Sequence, residues 1–281
     1  MKRILKWTGL TILSIAVVLA LVIYVGSEYR VRQTFDIPAT PIAVPTDSAS
    51  LARGQHIFET RGCEGCHGLG LGGKVFLDEP MLARVVAPNV IRAIRAYTDP
   101  DLVRLLRHGV RPNGRGVGVM PSAMFYHLDD ADLGALIAYL RTLPDRGSDT
   151  LPKTSMRLLA RVGLVLGQYK MEPRYITHDA PRAPNGPDSA SRGKYIAMST
   201  CSECHGDKLE GGETTPALSV VAAYSPVEFA RLMREGIPRD GRKLDLMART
   251  ARSRFVHLTD DEVTALYAYL SGQLASGKTT D

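Results

Sequence analysis

The longest uninterrupted run of apolar positions lies at the start of the chain. Residues from Trp7 to Ser27 carry no charge, which is about the length of helix that crosses the hydrocarbon core of a bilayer. Three basic residues precede this run, and Trp7 and Tyr24 lie near its ends, where aromatic rings settle at the membrane interface. The pattern predicts a single transmembrane anchor over residues 1–27, with the positive end in the cytoplasm and everything after Ser27 outside it.

A cleaved signal peptide is the competing interpretation of this segment. The tripeptide Val18-Leu19-Ala20 is a possible cleavage site, but the apolar sequence LVIYV follows it at once and would remain as a stub. Both interpretations export the chain. The predicted location is therefore the inner membrane, single-pass, with the rest of the chain facing the periplasm.

Beyond the anchor, short segments with apolar positions at i, i+3 and i+4 alternate with polar, glycine-rich loops. They predict helices over 51–60, 98–108, 192–199 and 225–235, and closing helices that begin at Asp129 and Thr259. Gly109 and Gly236 are placed to end two of them, and Thr259 with Glu262 forms a capping box. No segment indicates a regular sheet, so the predicted fold class is all-α.

The same ordered blocks occur twice along the chain. DSAS is followed by a helix in both copies, FYHLDDADLGALIAYL matches FVHLTDDEVTALYAYL, and RLLRHGV matches RLMREGI. Self-similarity over ordered blocks predicts a duplicated domain. We expect domains at 48–143 and 189–274, followed by a short tail over 275–281.

Two proline-rich linkers separate these units. Residues 28–47 contain Pro38, Pro41 and Pro45 and are predicted to form an extended spacer between the anchor and the first domain. Residues 144–188 join the two domains. Within this second linker, 155–170 is predicted to form an amphipathic helix, which either packs between the domains or lies on the membrane or a partner.

Each repeat contains the motif C-x-x-C-H, and the two copies use all four cysteines of the chain. This motif is a signature of covalent haem c attachment. Two thiols at i and i+3 lie on one face of a helical turn and reach two vinyl groups on one porphyrin edge, and the next residue offers an imidazole to the iron. The motif residues are Cys63, Cys66 and His67 in the first copy and Cys201, Cys204 and His205 in the second.

Three other interpretations of the cysteines compete with haem attachment. A shared zinc site would need ligands from motifs that lie far apart in the sequence. A thioredoxin-like redox pair lacks a surrounding βαβ pattern, and two structural disulfides are conceivable in an exported chain. None of these requires a histidine at the same position in both copies.

On these residues and on the Ala-Tyr-Leu ends of the closing helices, each repeat resembles a class I c-type cytochrome domain. The whole chain resembles a membrane-anchored dihaem cytochrome c. The resemblance implies two tandem class I cytochrome c domains after the transmembrane helix, and two covalently bound haem c groups. It also implies His67 and His205 as proximal iron ligands, with Met120 and Met247 on the opposite faces.

Other residues are alternative candidates for the sixth iron ligand. Met124 is the nearest rival of Met120, and His127 and His257 occupy matching places that would suit a bis-histidine site. The second repeat also departs from the family pattern, because Ala248 stands where Pro121 follows Met120 in the first.

Composition and charge bear on which cofactor and which partners the chain could bind. Only 6% of the residues are aromatic, which leaves room for a large apolar cofactor in each core. The chain has 35 Lys and Arg against 29 Asp and Glu, but the excess is scattered rather than gathered into a basic arm, so nucleic acid is not an expected partner.

Iron held by histidine and methionine has no open position, which predicts electron transfer rather than catalysis. The expected partners are redox proteins: a quinol-oxidising complex or dehydrogenase as donor, and a terminal oxidase or reductase as acceptor. The chain would be a relay, with no catalytic residues of its own, or the cytochrome subunit of an oxidoreductase. The alternative is a dihaem peroxidase-like enzyme or a ligand sensor in which one haem has lost its sixth ligand.

Overall fold

The computed structural model describes residues 2–147 and 150–273. Most of these residues are helical, which confirms the all-α prediction; the predicted tail over 275–281 lies outside the described residues. The helices are α1 (Lys2–Arg32), α2 (Ser48–Arg61), α3 (Cys63–His67), α4 (Val90–Ala96), α5 (Asp99–His108), α6 (Ser122–Phe125), α7 (Asp130–Thr142), α8 (Leu158–Leu166), α9 (Ser189–Ile196), α10 (Ser202–His205), α11 (Pro226–Glu235), α12 (Leu246–Ser253) and α13 (Asp260–Gln273). A π-helical turn, Ala197–Cys201, joins α9 to α10, and 3₁₀ turns cover Leu69–Leu71, Glu172–Arg174, Leu218–Ala223 and Phe255–His257.

The capping residues named above begin or end their helices as predicted, whereas α2 and α9 begin three residues before the predicted starts at 51 and 192 and α8 is shorter than the predicted helix over 155–170. Ser225 and Glu228 form a reciprocal capping box at the start of α11. The Thr259 hydroxyl likewise accepts the backbone N–H of Glu262, whose carboxylate accepts the backbone N–H of Thr259. Gly109 and Gly236 follow α5 and α11 with φ of 67° and 72°, the left-handed conformation that glycine adopts without a side-chain penalty.

A glycine-mediated helix crossing organises each domain. At the crossing of α2 and α7, a Cβ on Gly54 would lie 2.1 Å from the Ala135 carbonyl oxygen. At the crossing of α9 and α13, a Cβ on Gly193 would lie 2.1 Å from the Ala265 carbonyl oxygen. The same close approach, made by matching residues, gives the sequence repeat a structural counterpart.

A small antiparallel sheet was not predicted from the sequence. Strand β1 (Lys74–Glu79) pairs with β2 (Ala83–Ala87), and β2 pairs with the two-residue β3 (Ser155–Met156). The ladder between β1 and β2 is irregular between Val75 and Leu77. Short, half-exposed strands with a shifted register lack the period-2 alternation by which a strand is recognised.

The segment between the anchor and the first domain is not a free spacer, and the predicted extended stretch over 28–47 is wrong at its start, because helix α1 continues to Arg32. The chain then runs extended along the first domain, where the Phe35 amide donates to the Gly114 carbonyl at 2.9 Å. Ile42 and Val44 pack against the core. Burial of these apolar side chains holds to the domain a segment that its prolines alone would leave extended.

The two domains share one continuous core and a polar boundary. The Tyr195 hydroxyl of the second domain donates to the Asp132 carboxylate of the first, and burial raises the pKa of Tyr195. The Arg61 guanidinium donates to the Ser199 hydroxyl at 2.8 Å, and His56 Nε2 lies 2.9 Å from a Glu262 oxygen. These contacts fix how the two C-x-x-C-H turns face one another.

Candidate functional site

The two C-x-x-C-H segments end in the same turn but begin differently, because a left-handed residue separates α2 from the first motif and a π-helical turn leads into the second. Helices α3 and α10 both end at a glycine with φ 77° and ψ 166°, namely Gly68 and Gly206. The Gly73 amide then donates to the His67 carbonyl at 2.8 Å, and the Gly211 amide donates to the His205 carbonyl at 2.9 Å. The turn after each histidine is therefore reproduced in backbone geometry as well as in sequence.

The residue four places after each histidine has an uncommon backbone conformation. Leu71 and Leu209 both have φ of 58°, and they are the residues other than glycine with positive φ in the described ranges. A leucine in the left-handed region persists only where its surroundings determine it. Both side chains are almost fully buried, so each loop is pinned to its own core.

Both histidine rings are oriented by a backbone carbonyl. His67 Nδ1 lies 3.0 Å from the Pro88 oxygen, and His205 Nδ1 lies 2.8 Å from the Pro216 oxygen. A carbonyl oxygen only accepts, so Nδ1 carries the proton and Nε2 keeps a free lone pair. Burial lowers the pKa of His67, which favours the neutral ring that a metal requires. This is the arrangement expected of an axial iron ligand.

The first domain encloses an apolar cavity of about 700 Å³ beside this turn. Cys63, Cys66, His67 and Met120 all line it, together with apolar side chains of α7, β2 and α8. The cavity thus has the two thiols, a neutral imidazole and a thioether on its wall, and an apolar lining suited to a porphyrin face. The residues of the first domain fit a covalently attached haem.

The four thiols are held as neutral groups. Burial raises the pKa of Cys63 and Cys201 to about 12, and it raises the pKa of Cys66 and Cys204 as well. Addition of a neutral S–H across a vinyl group leaves an uncharged thioether, so attachment buries no charge at these positions.

The second domain presents the same groups with a different sixth-ligand segment. Met247 is half-buried against the core and lies in the first turn of α12, whereas Met120 precedes Pro121 in a loop before α6. Ala248, unlike proline, does not disfavour a helical conformation in the residue before it, so α12 begins at Leu246. Met247 is consequently presented from a helix rather than from a loop.

The rival sixth ligands, Met124 and His127 in the first domain and His257 in the second, lie outside the lining of the first-domain cavity. Met124 is buried in the core, outside the lining of the cavity. His127 Nδ1 accepts the backbone N–H of Ala183 at 3.2 Å, and burial lowers the pKa of His127 to about 4. The half-exposed His257 lies 3.6 Å from Glu59. These positions favour Met120, whose ligand role stays a prediction.

Two functional candidates, Arg254 and Glu203, were missed from the sequence. They form an ion pair at 2.7 Å and line the first-domain cavity beside Cys63 and Cys66, although both belong to the second domain. The pair is possible because residue 62 is glycine: a Cβ there would lie 2.1 Å from Arg254 Nε. Glu203 is one of the two x residues of the second motif, so the second attachment turn borders the first cavity. No local pattern signals a contact between such distant residues.

A mostly helical chain with two C-x-x-C-H turns, and a cavity that gathers two thiols, a histidine and a methionine, defines a covalent-haem protein. The cytochrome c family model matches residues 51–144 and 190–273. The chain therefore belongs to the cytochrome c family, which implies covalently bound haem c, and its role is electron transfer rather than catalysis.

Curated relatives agree with this class. The chain is 23% identical over 92% of its length to the fructose dehydrogenase cytochrome subunit of Gluconobacter japonicus and 25% identical over 90% to a dihaem c-type cytochrome of Cereibacter sphaeroides. It is 27% identical over 66% to the cytochrome c subunit of a quinone alcohol dehydrogenase of Gluconobacter oxydans. It spans 95% of the Cereibacter protein, but only 58% and 42% of the two dehydrogenase subunits.

Proposed function

We propose that this chain carries two haem c groups and relays single electrons between them while tethered to the inner membrane, with both domains in the periplasm. The donor is a quinol-oxidising complex or a dehydrogenase, and the acceptor is a terminal oxidase or reductase. The observation that carries this proposal is the position of the second attachment turn against the cavity of the first domain, through Glu203 and Arg254.

The residues around the first cavity suit a site that changes charge without changing ligands. His67 is fixed by the Pro88 carbonyl, and Met120 lies on the same cavity wall. When bound, haem supplies the one-electron ferric–ferrous couple. His67 and Met120 would hold the iron from opposite sides and would leave no position open for a substrate, and a methionine thioether would favour the ferrous state relative to a second histidine.

The anchor supports the membrane part of the proposal. Helix α1 is 31 residues long, its most apolar window has a mean hydropathy of 2.5, and that window is not buried against the protein. The contact between α1 and α8, described below, gives the helix a structural role in the folded chain. A cleavable leader would have no need of such a contact.

The relatives support the choice of partners. Two of them are the cytochrome subunits of a fructose dehydrogenase and of a quinone alcohol dehydrogenase. A tethered two-haem relay would suit the same role in this chain, namely the cytochrome subunit of a periplasmic dehydrogenase.

Optical and redox titration of the full chain in detergent tests the relay. We expect two low-spin haems in the resting protein, two one-electron reduction steps and no carbon monoxide adduct of the ferrous form. A high-spin haem, carbon monoxide binding or turnover of hydrogen peroxide would overturn the relay and favour the peroxidase or sensor alternative.

Protease accessibility tests the orientation. Trypsin added to right-side-out spheroplasts should digest both haem domains, while inside-out vesicles should protect them. The reverse pattern would contradict a periplasmic location, and release of the haem domains from washed membranes without proteolysis would contradict the tether.

A further inference from the structure

Helix α8 exposes leucine side chains at both of its ends. Leu158 and Leu166 are 56% and 67% exposed, and neither lines the first-domain cavity. Between them, Leu159 and Val162 line that cavity, and Val165 packs against α1. The one arginine of the helix also contacts α1. Exposed leucines at both ends of a surface helix indicate an interaction site.

That arginine fastens α8 to the anchor helix. Arg161 donates to the Ser27 hydroxyl at 2.7 Å and pairs with Glu28 at 2.9 Å, and its guanidinium carbon lies 4.7 Å from the centre of the Tyr24 ring. The Arg161 and Arg32 guanidiniums hold the pKa of Glu28 below its ordinary value. The contact lies at the end of the uncharged stretch of α1, where a spanning helix leaves the hydrocarbon core.

The turn between β1 and β2 adds Met81, which is 56% exposed, to this surface. The hairpin also holds α8 in place, because the Leu159 amide donates to the Met81 oxygen and the Arg157 amide to the Leu82 oxygen, each at 3.0 Å. We call the joint surface the membrane-facing patch; it consists of Met81, Leu158 and Leu166, which lie outside the lining of the first-domain cavity.

We infer that the membrane-facing patch rests in the outer interface of the lipid bilayer that holds α1. The argument for lipid as the occupant is continuity. A Cβ on Gly26 would lie 3.2 Å from a Val165 methyl group, so α8 packs directly against the last turn of the apolar stretch. An apolar helix fixed at that level meets the interface, where amphipathic helices bury their apolar faces.

The consequence is a fixed orientation of the first domain. Leu82 and Leu159, which adjoin the patch residues Met81 and Leu158 in the chain, line the cavity that also contains Cys63 and His67. The first-domain haem cavity is therefore held at the membrane surface, and the second domain is the one that extends away from it. The inference rests on the proposed function, since it requires an uncleaved anchor.

Spin labelling of the full haem-loaded chain tests this inference. Because the four native cysteines are taken up by haem, an introduced cysteine is the one free thiol. We would label Leu166→Cys and Leu158→Cys in the patch, Leu13→Cys in the anchor and Val227→Cys in the second domain, where Val227 is 79% exposed. The chain would be placed, one copy per disc, in nanodiscs of phosphatidylethanolamine and phosphatidylglycerol. The measurement is the ratio of collision with apolar oxygen to collision with a polar nickel chelate.

We expect the anchor and both patch labels to favour oxygen several-fold more than the Val227→Cys label does. If the patch labels gave the same collision ratio as Val227→Cys while the anchor label favoured oxygen, the lipid contact of the patch would be refuted and the membrane anchor would not. Patch labels shielded from both reagents would show a protein occupant and refute lipid contact. An anchor label exposed to the chelate would refute the anchor and, with it, both the tether and the patch.

Discussion

The crossing of α2 and α7 gives the sharpest structural prediction, because it carries the first attachment turn. In Gly54→Ala, the new methyl carbon would lie 2.1 Å from the Ala135 carbonyl oxygen and 2.8 Å from Tyr139 Cβ. Ordinary contact begins near 3.4 Å, so the helices must separate by about 1.3 Å. The oxygen belongs to the backbone and cannot rotate away.

The expected loss in the free energy of unfolding follows from two opposing effects. Overpacking of a well-packed core costs about 1–3 kcal/mol, and we take the upper end of that range because two helices must separate along their backbones. Replacing a helical glycine with alanine recovers about 1 kcal/mol. We therefore expect Gly54→Ala to destabilise the first domain by roughly 2 kcal/mol. Because α2 ends at Gly62, directly before Cys63, the distortion should reach the haem site.

Guanidinium titration of the full chain, followed by the red-edge absorption band of methionine-ligated ferric haem, measures this effect. The matched control is Gly272→Ala near the end of α13, where a Cβ meets nothing within 4 Å. We expect a lower midpoint for the Gly54 variant and an unchanged or slightly raised midpoint for the control. If both variants gained stability equally, the close helix crossing would be wrong.

Further predictions concern the ligand, the interdomain ion pair and pH. Met120→Ala should convert one haem to a high-spin form that binds carbon monoxide, whereas Met124→Ala should keep the low-spin spectrum and lose about 2–5 kcal/mol of stability. Arg254→Leu removes a positive charge beside the first cavity and should lower one reduction potential by on the order of 50 mV, whereas Glu203→Gln removes a negative charge and should raise it. Potentiometric titration measures both, and shifts of the same sign would refute the position of this ion pair beside the first cavity. His127 has a folded pKa of about 4, below its ordinary value, so the unfolded state takes up the proton first. Stability should fall as pH drops from about 6.5 to 4, and His127→Gln should flatten that dependence in thermal melts.

Local chemistry explains why much of the fold could be predicted from the sequence. Gly109 and Gly236 end helices because they adopt positive φ, and the Thr259–Glu262 box starts α13 with two reciprocal hydrogen bonds. The C-x-x-C-H turns are equally local, since thiols and imidazole lie within five residues. These features do not depend on the rest of the chain, so the residues themselves contain the information.

Features that depend on distant contacts were not predictable. The β1–β2 hairpin pairs with β3 from the linker, and its strands are too short and irregular to show a period. Arg254 occupies the space over Gly62 only because the domains pack together. Likewise, the sequence left open whether the amphipathic linker helix lies between the domains or on a surface, and its contact with α1 through Arg161 joins residues too distant in the chain to be predicted.

Intact mass spectrometry of the purified, denatured chain tests the central claim most directly, because thioether bonds survive unfolding. The account predicts a mass equal to the full 281-residue polypeptide plus two haem groups, with the same mass retained after acid extraction of free haem. A polypeptide carrying one haem or none would contradict it. A mass short of the first 20 or so residues, with two haems present, would leave the relay intact and remove the membrane anchor.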